Sequence, residues 1–229
     1  MSSPPFTADE FLDLFGIYNN AIWPVQVIAY VLGGLVVALA VKRTAVSGRV
    51  IGSVLALYWL FIGIVYNLVF FTGINSMAYV FGAAFIVQGV IFLVVSAWCD
   101  RLDFEVKADT YSFAGAVLVF FSMLVYPLLG SLSGHAYPKC PVFGVSPCPT
   151  TIFTFGILLF AACKVPWFVL VIPLLWSLVG TQAAISFSMS QDYALPVAGV
   201  LGTVMIALKN RRSRGPGVTE FADSSDAAA

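Results

Sequence analysis

The chain has 229 residues, 60% of them hydrophobic and 10% charged, with a mean hydropathy of +0.97. A soluble domain carries roughly 45–50% apolar and about 25% charged residues, so a water-facing globular surface is excluded. The formal net charge is zero, but the charged residues avoid the long apolar runs and mark their ends, as they do in membrane proteins. A hydrocarbon core of ~30 Å takes about 20 apolar helical residues per crossing. This length therefore supplies six or seven crossings and leaves no room for a soluble catalytic domain.

In chain order, Thr7-Ala8-Asp9-Glu10 reads as a capping box, the threonine hydroxyl and the glutamate three residues later satisfying free amides at a helix start. Phe11, Leu14, Phe15 and Tyr18 then share one helical face, with Asp9 and Asp13 on another. Residues 1–21 are thus expected to hold an amphipathic helix lying along the outer membrane surface. No basic start or small-residue cleavage site marks a secretory signal, so the first apolar run is expected to remain a span.

Spans are predicted at about 22–42, 50–72, 76–98, 111–133, 149–164, 166–187 and 192–208, an all-α seven-helix transmembrane domain over 22–208. Pro166 separates the fifth span from the sixth, since proline is tolerated in a first helical turn. With seven crossings, ten lysines and arginines fall on one side, from Lys42 and Arg43 to Arg212 and Arg214, and only Lys139 on the other. Basic residues in short loops stay cytoplasmic, which places the N-terminus outside and the C-terminus inside. Residues 209–229 read as a basic stretch and then a small, polar, disordered cytoplasmic tail.

The second and third spans align without a gap on the sixth and seventh, pairing Trp59 with Trp176, Gly63 with Gly180, Phe70 with Phe187, Asn75 with Asp192 and Gly82 with Gly199. Either the chain is a parallel repeat of three helices, a linker and three helices, with a solute path between the triplets, or two Trp- and Gly-rich segments resemble each other by composition. Gly33-Gly34, Gly48 with Gly52, and Gly199 with Gly202 permit close helix approach, within one chain or in a homo-oligomer.

No carboxylate lies mid-membrane. Asp192 stands at the outer end of the seventh span, which argues against carboxylate-coupled proton antiport. Lys209 is at the cytoplasmic end, so no lysine is placed for a retinal Schiff base. The polar candidates are neutral. Gln26, Asn67 and Gln182 have similar depth on three helices, with Thr150 and Thr151 on the fifth. They line an outward polar vestibule that binds a small solute, or they make interhelical hydrogen bonds worth about 0.6 kcal/mol each.

The outer loop at 134–149 holds His135, Cys140, Cys148 and four prolines. On an oxidising face Cys140 and Cys148 could close a disulfide; with His135 they could instead bind a soft metal ion, although their spacing matches no zinc pattern. The prolines stiffen this loop into a shaped cap. Cys99 and Cys163 lie near the cytoplasmic face and are expected to stay reduced. No phosphate loop, HExxH, nucleophile elbow or basic aromatic patch is present. No enzyme activity, cofactor or nucleic-acid partner is therefore expected.

Leu14-Phe-Gly-Ile-Tyr18-Asn19-Asn20-Ala-Ile-Trp23-Pro24 and Pro141-Val-Phe-Gly144-Val-Ser-Pro147-Cys148-Pro149-Thr150-Thr151 resemble the corresponding segments of a bacterial membrane-protein family catalogued only as a domain of unknown function. The resemblance runs from about residue 10 to 208 and implies a polytopic protein of the bacterial inner membrane; it carries over no activity and no functional residue. The leading expectation is a small-solute transporter or permease. The alternatives are soft-metal handling through His135, Cys140 and Cys148, and a non-transporting scaffold or sensor whose basic Lys209 to Arg214 stretch meets anionic lipid or a cytoplasmic partner.

Overall fold

The computed structural model describes residues 6–98, 102–187 and 189–212. Cys99 and the expected tail beyond residue 212 lie outside them. The described chain is helical, with no strand beyond an isolated antiparallel bridge between Phe104 and Ala161. Its helices are α1 (Ala8–Ala21), α2 (Val25–Val41), α3 (Ser47–Gly73), α4 (Ala78–Ser96), α5 (Thr110–Leu132), α6 (Pro147–Leu159), α7 (Phe168–Phe187) and α8 (Ser190–Arg212).

Five of these, α3, α4, α5, α7 and α8, are long and apolar enough to cross a membrane. A sixth crossing is available if α1 and α2, bent by 84° at their junction, count as one broken span. Each of the seven predicted segments meets a helix, but the first and fifth meet helices of only 17 and 13 residues. The helix periphery is apolar. On α5, Phe113, Val117, Phe120, Leu124 and Leu128 recur at helical spacing and are all exposed. An exposed apolar stripe of that length belongs against lipid rather than water.

The centre of the bundle is α6, buried at every position from Pro147 to Leu159 except for a partial exposure at Cys148. At 1.5 Å per residue its 13 residues reach about 20 Å, well short of the ~30 Å hydrocarbon core. Non-helical backbone flanks it at both ends. Ahead of it, residues 140–146 are buried within the bundle. They are therefore not the surface cap expected of an outer loop: Phe143 inserts between Tyr30, Tyr58 and Phe153, at ring-centroid distances of 5.2, 5.7 and 4.8 Å. Beyond it, the segment after residue 101 runs antiparallel to the helix exit. Glu105 N donates to Phe160 O at 2.9 Å and Ala162 N to Asp103 O at 2.8 Å, while Lys209 Nζ donates to Leu159 O at 2.7 Å. Irregular backbone at membrane depth is tolerated only when protein surrounds it and satisfies its polar groups.

Two close approaches lock α6 in place. Its Gly156 faces Gly115 of α5 so closely that a Cβ on either would lie within 3.0 Å of the other's carbonyl oxygen. In the inserted loop, Gly144 has φ +78° and packs on Ala29 and Tyr58. A Cβ there would be both strained by backbone conformation and 2.6 Å from the Ala29 methyl. Gly144→Ala should therefore lower stability by roughly 2–4 kcal/mol, read as a lower midpoint of thermal unfolding in detergent. Gly34→Ala, whose new methyl would meet nothing within 4 Å, should be neutral or stabilising by up to about 1 kcal/mol.

Candidate functional site

The site is assembled by α1. Its start is the expected capping box: Glu10 N donates to Thr7 Oγ1 at 3.2 Å, and Thr7 N to Glu10 Oε2 at 2.7 Å. That backbone hydrogen bond holds the exposed Glu10 carboxyl below its ordinary range. The helix leaves α2 at 84°, and the bundle rather than lipid covers its apolar face. Phe11 stacks on Phe187 at 5.2 Å, Phe15 stacks on Tyr66 at 5.5 Å, and Tyr18 meets Tyr66 and Phe70 edge-on at 5.3 Å.

From its buried face α1 also holds the inserted loop. Tyr18 Oη donates to Val145 O at 2.6 Å, and Asn19 Nδ2 donates to Pro138 O at 2.6 Å and to Cys140 O at 2.8 Å. The two motifs that stand apart in sequence, around Tyr18-Asn19 and around Cys140 to Thr151, are therefore one structural unit. The exposed pair of Asp13 and Lys139, 2.6 Å apart, adds a weaker tie, and it raises the lysine's affinity for its proton.

Beneath α1 lies a cavity of about 230 Å³. Aromatic rings wall it, from Phe11 and Phe15 above, Tyr66 and Phe71 on α3, and Trp176 and Phe187 on α7. Cys148 and Asp192 form its polar end. Exposed Val179, Gln182 and Ser186 on α7 make the rim. The cavity thus lies between the α3–α4 pair and the α7–α8 pair, and α1 roofs it.

The predicted site residues do not converge. Gln26 is buried and donates to Asn19 O at 2.8 Å; Asn67, in a wide π-helical turn of α3, donates to Ile62 O at 3.1 Å; Gln182 is exposed on the cavity rim. These amides do not share a vestibule, because the first two are turned into local backbone bonds. Thr150 and Thr151 are fully buried and donate to the carbonyls of Ser146 and Pro147, at 2.7 and 2.9 Å. Thr150 Oγ1 also accepts from Gly144 N at 3.1 Å, so the two threonines shape the loop.

His135, Cys140 and Cys148 are not gathered either. Among the described residues no three His, Cys, Asp or Glu side chains are grouped to hold a metal ion. Cys140 and Cys148 are separate thiols, not a disulfide. Insertion of the loop explains both corrections: Cys148, on the first turn of α6, faces the cavity, whereas Cys140 is packed under α1.

Asp192 stands at the head of α8, where the sequence placed it, but the structure buries it. Asp192 is only 2% exposed and accepts a hydrogen bond from the Tyr126 hydroxyl of α5, with the Cys148 thiol beside it. Among the described residues no lysine, arginine or histidine forms an ion pair with it. The signal available in sequence was its alignment with Asn75 at the head of an apolar helix; the roof that buries it was not readable. Asn19→Ala, which strips a donor from two buried carbonyls, should cost about 1–3 kcal/mol of stability and Tyr18→Phe about 1–2 kcal/mol, measured by unfolding in detergent. Alkylation of denatured, unreduced protein should modify both Cys140 and Cys148, as a mass spectrum of their peptides would show.

No curated protein and no solved structure matches the chain. A family description, however, covers nearly all of it, both hydrogen-bonded motifs included: across residues 8–215 the chain belongs to DUF6064, a family of unknown function.

Proposed function

We infer that the protein is a small-solute permease of the bacterial inner membrane, with seven crossings, its N-terminus outside and its C-terminus inside, and that it is not an enzyme. The observation that carries this reading is the cavity under α1, an aromatic-walled space with one polar end and an exposed rim on α7. Binding sites for small molecules are commonly mostly apolar hollows with a few convergent polar groups.

The seven-crossing count is supported by the chain on either side of α6. Buried chain at residues 140–146 before it, and at Phe160 and Ala161 after it, extends that short helix at both ends. The orientation is supported by charge. Arg43, Lys107, Asp103 and Glu105 form one network at the end where Lys209 meets the α6 exit, while Lys139 with Asp13 belongs to the α1 end. Basic residues gathered at one end mark the cytoplasmic side. The pairing of α3–α4 with α7–α8 around one cavity agrees with a three-one-three plan, in which a solute site lies between the repeats.

Reconstituted protein should bind or move at least one member of a panel of sugars, amino acids, amines, inorganic anions and metal ions. Val179→Trp, which fills the rim from an exposed position, should reduce that flux at least tenfold without lowering the unfolding midpoint. Silence across the panel, or flux unaffected by Val179→Trp, would refute the permease. Orientation has its own test: Ser133→Cys should react in whole cells with a membrane-impermeant maleimide, and Ala45→Cys only after permeabilisation; the reverse pattern would refute the assignment.

A further inference from the structure

The chemistry of the cavity narrows what it takes. We propose that it is a site for an organic cation, an ammonium group seated against Asp192 and enclosed by aromatic rings; this rests on reading the cavity as the solute site.

Four observations converge on it. First, Asp192 is a buried carboxylate at the polar end of the cavity, met by the neutral Tyr126 hydroxyl and Cys148 thiol and, among the described residues, by no cationic side chain. Burying a carboxylate is costly unless an opposite charge or several hydrogen bonds accompany it. A cation in the cavity would supply that charge, whereas an anion would be repelled and a neutral solute would leave the carboxylate as it is.

Second, aromatic side chains, among them Phe11, Phe15, Tyr66, Phe71, Trp176 and Phe187, make up about half of the remaining lining. Aromatic faces attract cations through their quadrupole, and cages of such rings bind ammonium groups without hydrogen bonds. Third, the size fits. A cavity of about 150 Å³ accepts benzene, so about 230 Å³ accommodates a molecule of roughly nine heavy atoms by the same scale.

Fourth, the approach favours positive charge. The rim residues Val179, Gln182 and Ser186 are uncharged. The outer face of the α1 roof carries three exposed carboxylates, Asp9, Glu10 and Asp13, and among the described residues Lys139 alone forms an ion pair with them. A surface of that sign raises the local concentration of cations and speeds their arrival.

The test uses the full chain in maltoside detergent, free of choline-headgroup lipid, and two probes of the same shape that differ in charge: choline and 3,3-dimethylbutan-1-ol. Calorimetric titration should give choline at least a tenfold lower Kd. Asp192→Asn should weaken choline at least tenfold and leave the alcohol within about twofold. Should Asp192→Asn not fold, Trp176→Leu serves instead, and should weaken choline at least threefold more than it weakens the alcohol. Equal or tighter binding of the alcohol by the unaltered protein would overturn the cation site and leave the permease standing. So would failure of choline to bind while a neutral or anionic member of the solute panel does. Failure of both probes and of the whole panel would overturn both readings.

Discussion

The short central helix α6 governs the architecture, because a backbone that enters a bilayer must find hydrogen-bond partners within the protein. Its thirteen helical residues are short of a hydrocarbon thickness, and the irregular chain on both sides of it is held by hydrogen bonds from the rest of the bundle. At one end the enclosure is α1, whose Tyr18 and Asn19 donate to three loop carbonyls. At the other it is the segment from Leu102 to Val106, hydrogen-bonded to Phe160, Ala162 and Ala40. The long helices surround this axis and turn apolar faces outward.

The same enclosure creates the cavity. To reach the inserted loop, α1 must lie across the bundle at a steep angle to α2, and its phenylalanines then come down over α3 and α7. The first turn of α6 brings Cys148 to the underside of that roof, where Asp192 at the start of α8 meets it. Polar and aromatic groups from five parts of the chain are juxtaposed as a by-product of satisfying one short helix. A site built this way couples stability to recognition: what loosens the loop also unseats the roof.

Much of the frame was legible in the sequence because its causes are local. The capping box at Thr7 and Glu10 formed as read, since it needs only residues three apart. The long apolar runs became helices close to their predicted limits, because composition and length decide whether a segment can sit in lipid. The later part of the loop, residues 140–149, was misjudged for the opposite reason. Its prolines and glycine specify a shaped turn, but nothing local says whether that turn faces solvent or is drawn inward by Asn19, more than a hundred residues earlier. Gln26, Asn67 and Gln182 share depth but not direction, and direction depends on how each helix is rotated by its neighbours.

The sequence by itself determined that this chain is all helical, that its surface is too apolar for water, and that Tyr18-Asn19 and the Cys140 to Thr151 segment are distinctive, since those properties reside in composition, periodicity and short motifs. Only the tertiary structure decided that those two motifs bond to each other, that Cys140 and Cys148 stay apart, and that Asp192 lies under a roof of rings. Each of these depends on contacts between residues far apart in the chain. Hydropathy measures how a segment partitions from water, and it carries no information about which segment will cover which.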